Sequence, residues 1–151
     1  MRIEVGQYNG TEIEVIVLKY PEYVAWILRK ECYNKLAEAK IEIMRLIEIF
    51  DRKPITKNCM GHNCTSNATR CTVFGSLINL YWWCDSCDPL QSGALAIQIQ
   101  VIKKYGEALR HVELYCGGHK KYYRSLIGLM AKAKGLPNRV DDQKAINFFQ
   151  S

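Results

Sequence analysis

Along residues 2–18 apolar and charged positions alternate: Ile3 and Val5, then Ile13, Val15 and Val17, with glutamates between them. A period of two places alternate side chains on one face of a strand, and Tyr8-Asn9-Gly10 supplies a turn between the halves, so the pattern predicts an N-terminal β-hairpin. Pro21 suits the first position of a helix, where its missing N–H would have no intrahelical partner. Helical spacing follows over residues 22–50, through Val24, Ile27, Leu28, Leu36, Ile43, Leu46, Ile47 and Phe50, as one helix or as two joined near Cys32-Tyr33-Asn34. Pro54 closes this stretch. "TRCTVFG" and "INLYWW" are rich in β-branched and aromatic residues around Gly75-Ser76 and read as a second hairpin. After Pro89 the helical period returns through Leu95, Ile99, Ile102, Leu109 and Val112, with a break at Gly117-Gly118. Another helix spans residues 119–134 and stops at Gly135, and Asp141 is placed to cap a last one.

The chain therefore reads as α+β: an N-terminal β-hairpin and helix (residues 1–54), a central cysteine-bearing β-hairpin (55–91) and basic C-terminal helices (92–151), within one compact unit. Its 151 residues suit a single domain, and a hydrophobic share of 48% is enough for a packed interior. The first fifteen residues lack the apolar core of a secretion signal, and no apolar run approaches a membrane span. A soluble, cytoplasmic protein with no membrane partner is expected. In that compartment the sequons at Asn63 and Asn67 carry no meaning.

Cysteine spacing adds the first chemistry. Cys59 and Cys64 form a C-x4-C pair, and after nineteen intervening residues Cys84 and Cys87 form C-x2-C in "WCDSC". A zinc ion takes four ligands in a tetrahedron, and a hairpin between two such pairs would bring them together. A thioredoxin-like dithiol explains only the second pair and lacks the preceding βαβ context. Disulfides fit poorly with an intracellular chain carrying seven cysteines. The expectation is one structural zinc on Cys59, Cys64, Cys84 and Cys87. His62, inside "CMGHNC", and Cys71 remain alternative ligands, while "HVELYCGGH" places His111, Cys116 and His119 as a weaker second cluster. Cys32 is expected in the core. At least one of Trp82 and Trp83 should face outward and offer a stacking surface.

Charge is unevenly spread. Residues 1–58 carry ten Lys/Arg against nine Asp/Glu, a net of +1, whereas residues 103–139 carry nine against two, a net of +7. Such a concentration is the footprint of a polyanion partner. The candidate DNA- or RNA-binding residues are Lys103, Lys104, Arg110, Lys120, Lys121, Arg124, Lys132 and Lys134, with Tyr122 and Tyr123 for stacking. The competing reading is a protein-interaction module, such as an inhibitor or adaptor encoded by a virus or mobile element, whose basic face meets an acidic protein. Catalysis has less support. A Mg²⁺-dependent nuclease needs clustered carboxylates, and Asp85, Asp88 and Asp141-Asp142 form no such array in the sequence. Neither a P-loop nor a hydrolase motif is present.

The segment "VGQYNGTEIEVIVLKYPEYVAWIL" resembles the small C-terminal domain of exodeoxyribonuclease X-like proteins. Gly6, Tyr8 and Gly10 match that family's turn, and Pro21, Tyr23, Trp26, Ile27 and Leu28 match its helix. Gln7 and Asn9 stand where the family has lysines, and Val5 where it has an aromatic. The resemblance spans about thirty residues and implies a nucleic-acid-associated accessory module rather than the nuclease. The same aromatics also read as a local mini-core.

Overall fold

The computed structural model describes residues 1–90 and 99–151. Among these residues six helices surround one contiguous apolar core, with a three-stranded antiparallel sheet against one side. This is the α+β class the sequence predicts.

The N-terminal hairpin is corrected. A single antiparallel bridge, Arg2 to Glu12, survives from it, and the expected second strand is helix α1 (Ile13–Lys19). Alternation misled because the positions between Ile13, Val15 and Val17 are not all polar. Ile16 and Leu18 are also buried, so the helix is covered on every side. It contacts α2 (Pro21–Arg29), α3 (Asn34–Arg52), α5 (Lys120–Ala133) and α6 (Asp142–Gln150). Burial against four helices outweighs the modest helix penalty of β-branched residues. Even Glu14 is buried, beside the N-terminal ammonium at 4.0 Å. Residues 22–50 divide into two helices, α2 and α3, as the second of the two readings held. Pro21 takes the first turn of α2.

Strands β1 (Arg70–Phe74) and β2 (Leu77–Trp83) form the central hairpin, and β3 (Ile99–Ile102) pairs with the other edge of β1. The helical period assigned to Ile99 and Ile102 is therefore corrected to a short strand. The helical expectation at Leu95 lies outside the described residues. Cys71, Val73, Trp82 and Ile102 point inward to the core, toward α4 (Tyr105–Tyr115) and α5. Asp141 caps α6, its carboxylate accepting the Lys144 N–H at 2.8 Å. Cys32 is half-buried, its thiol directed at the Lys30 carbonyl at 3.3 Å.

Candidate metal centre

The centre is assembled from two turns. The first is the tip of a small loop closed by an isolated bridge between Asn58 and Asn67. Within it the Cys59 N–H donates to Ser66 O at 2.8 Å and the Cys64 N–H to Gly61 O at 3.1 Å. Asn63 takes the left-handed conformation at φ 56° to complete the reversal. The second turn follows β2, which delivers Cys84 directly from its last residue, Trp83. Two backbone hydrogen bonds stitch the turns together: Met60 N–H to Trp82 O at 2.8 Å, and Thr69 N–H to Trp83 O at 2.9 Å.

The sulfurs of Cys59, Cys64, Cys84 and Cys87 consequently lie within 4.8 Å of one another, with Cys64 and Cys84 3.9 Å apart. A disulfide needs about 2.05 Å, and all four are free thiols. Zinc–thiolate bonds of about 2.3 Å in a tetrahedron put neighbouring sulfurs roughly 3.8 Å apart, close to the Cys64–Cys84 separation. The Gly61 N–H is directed at Cys59 Sγ at 3.3 Å, as a donor suited to a thiolate. Hydrogen bonding from the Ser66 backbone, then from its hydroxyl, lowers the Cys64 thiol to about 7. Hydrogen bonds with Cys84, Cys59 and Cys64 push Cys87 up to about 12. With only protons to share, the four sulfurs cannot all ionise. A divalent cation at their centre removes that conflict.

Gly61 is part of the design. A β-carbon there would lie 2.5 Å from Cys87 Sγ and 2.9 Å from Cys87 Cβ, so any other residue would collide with the second turn. "CMGHNC" contains the signal, one residue without a side chain between two ligands, but its meaning depends on a turn more than twenty residues away. The second turn is fixed from β1. Arg70 reaches Asp85 at 2.6 Å and the buried Asp88 at 3.2 Å, while Asp88 also accepts the Leu90 N–H at 2.9 Å. Asp85 and Asp88 thus hold the turn in place. His62 is exposed and outside the cluster. Cys71 is buried in β1, its thiol pushed up to about 12 by desolvation, and is not part of the cluster. His111 Nε2 and Cys116 Sγ both face the Gly75 carbonyl, at 2.7 and 3.3 Å, while His119 is exposed. Among the described residues these three form no metal-sized group.

The basic segment is divided by the fold. Lys103, Lys104, Arg110, Lys120, Lys121 and Lys132 are exposed, and none makes an ion pair among the described residues. Three expected contacts are withdrawn. Lys134 is 7% exposed and donates to Phe50 O and Lys53 O at 2.8 and 2.9 Å, capping the end of α3. Arg124 grips Glu22 with Nη2 and Nε at 2.6 and 2.9 Å. Tyr123 is buried, its hydroxyl facing Glu113 at 3.4 Å. Tyr122 remains half-buried with the Lys121 ammonium 4.9 Å from its ring centre. Trp82 is buried, and half-buried Trp83 donates its indole N–H to Thr72 at 2.9 Å. No helix among the described residues is long and apolar enough to cross a membrane. No family profile, curated protein or solved structure matches the chain.

Proposed function

We propose that the chain is a zinc-stabilised nucleic-acid-binding protein without catalytic activity of its own. The four-sulfur cluster supports zinc as the ion, because four thiolates at tetrahedral spacing satisfy it fully and leave no position for a reactive water. Zinc here is a staple. It fixes the β1–β2 hairpin to the loop before it and supplies no chemistry to a substrate.

The observation that carries the binding reading is the row of unpaired cations. Between residues 103 and 139, Lys103, Lys104, Arg110, Lys120, Lys121, Lys132 and Arg139 are exposed and make no direct ion pair among the described residues, in a segment of net charge +7. Cations left unpaired on one stretch of chain suit phosphate contacts. The exodeoxyribonuclease X-like resemblance points the same way, to an accessory module that holds DNA or RNA.

The test is a pair of measurements on the full chain. Metal analysis after purification without chelator should give one zinc per chain. Fluorescence anisotropy with unrelated oligonucleotides should show affinity falling steeply with salt, and Lys120→Glu, Lys121→Glu and Lys132→Glu together should flatten that slope by roughly 0.9 per lost phosphate contact. Zinc without any oligonucleotide binding would leave the staple in place and transfer the basic face to an acidic protein partner.

A further inference from the structure

Where the N-terminal turn, α2 and the start of α5 meet, a cleft of about 410 Å³ opens to solvent. We propose that it receives one unpaired nucleobase of a nucleic-acid strand, the adjoining phosphate resting on Lys120. The inference rests on the nucleic-acid reading above and names where a base is held.

Aromatic rings line the cleft. Tyr8 stacks on Tyr20 at 4.5 Å, meets Tyr23 edge-on at 5.1 Å, and Tyr23 leans on Trp26 at 5.3 Å. The expected mini-core of Tyr8, Tyr23 and Trp26 is in contact, and Tyr20 extends it. Trp26 is different. It lines the cleft and keeps 42% of its surface exposed. The Lys30 ammonium lies 4.8 Å from the Trp26 ring centre, yet an indole this exposed beside a cavity lacks the burial that normally stabilises so large a ring, and a planar ligand would restore it. Gly6, at φ 76°, contributes a wall with no side chain, leaving the space beside the Tyr23 hydroxyl open.

Charge selects the ligand. Glu22 is neutralised by its two-pronged contact with Arg124, so Lys120 supplies the remaining positive charge at the rim. Lys120 is the first residue of α5, and no acidic residue occupies that helix's first turn. Rings beside a cation fit a base followed by its phosphate, because every base has a π face and every nucleotide an anion. Glu22 and Tyr8, both lining the cleft, provide polar atoms for the base edge. The volume suits a base and its sugar rather than a folded partner.

The experiment compares a single-stranded oligothymidylate with an abasic strand of equal length, at one salt concentration, against wild type, Trp26→Ala and Trp26→Phe. Stacking by one base is worth roughly 5- to 160-fold in affinity, so wild type should prefer the thymidylate by a factor in about that range. Trp26→Ala should bind both strands as wild type binds the abasic one, with zinc content and circular dichroism unchanged, and Trp26→Phe should restore most of the preference. Equal binding of the two strands by wild type, or a preference that survives in Trp26→Ala, overturns the cleft while leaving electrostatic binding intact. Binding of neither strand overturns the nucleic-acid reading and the cleft assignment together. In that case, quenching of Trp26 by an acidic tyrosine-containing peptide would assign the cleft to a protein.

Discussion

Gly61→Ala tests the metal centre with a single methyl group. The added carbon would sit 2.5 Å from Cys87 Sγ, 2.9 Å from Cys87 Cβ and 3.3 Å from Cys59 Sγ. Ordinary contact begins near 3.4 Å, so roughly 1 Å must be recovered, and the methyl is hemmed in by ligands on both sides. Zinc–sulfur bonds tolerate deviations of about 0.2 Å. The turn therefore cannot keep Cys59 and Cys87 both at bonding distance without shifting the loop. Structural zinc sites in small zinc-finger peptides are worth about 10–16 kcal/mol, or roughly 2.5–4 kcal/mol per ligand if shared equally. A water molecule replacing a displaced thiolate recovers part of that, leaving an expected loss of about 1.5–3 kcal/mol. In affinity terms zinc should bind about 10- to 150-fold more weakly. Competition against a chromophoric chelator measures it directly, with His62→Ala as a control expected to match wild type. Zinc affinity within about threefold of wild type for Gly61→Ala would show that the two turns are not packed as described.

Three further outcomes follow from the same geometry. Cys84→Ser should abolish stoichiometric zinc and unfold the β1–β2 region, whereas Cys71→Ala should retain zinc in elemental analysis, since its thiol is not in the cluster. Arg124→Met should lower unfolding stability by about 1–2 kcal/mol in urea titrations by stranding half-buried Glu22, discounted because the guanidinium is partly solvated, while Lys121→Glu should stay within about 0.5 kcal/mol of wild type. Burial lowers the His111 pKa, and its Nδ1 has no hydrogen-bond partner. Below about pH 6.5 the unfolded chain takes up this proton before the folded one does, so stability falls with pH until the folded pKa is reached. His111→Gln, which keeps a donor for the Gly75 carbonyl, should lose less stability between about pH 7 and 5.5. Acid release of zinc is common to both proteins, so the difference between them isolates the histidine, and parallel pH profiles would contradict the assignment.

The four-cysteine cluster was legible because its information is local: two close cysteine pairs flank a hairpin whose turn and β-branched strands announce themselves. The supporting groups were not. Arg70 looks like any surface cation until β1 brings it to Asp85 and Asp88, fifteen and eighteen residues on. Lys134 counted as a phosphate contact because nothing near it in sequence reveals that the ends of α3 and α5 converge on it. Arg124 and Glu22 are separated by 102 residues. Pairing across such distances decides which charges are free, and periodicity carries no record of it. Helix α1 failed for a related reason. A short apolar run is strand or buried helix depending on what covers it, and here four helices do.

That covering has a consequence for how the chain is made. Synthesis delivers α1 early and α6 last among the described helices, yet α6 is one of the walls around α1. Until residues 142–150 leave the ribosome, "IEVIVLK" has an incomplete enclosure. Rich in β-branched residues and free of proline, it is the kind of segment that seeks another strand when left uncovered. The nascent chain therefore carries this heptapeptide incompletely covered until α6 has been made. Chains stalled before α6 should engage chaperones or associate with one another, and release of α6 should end both.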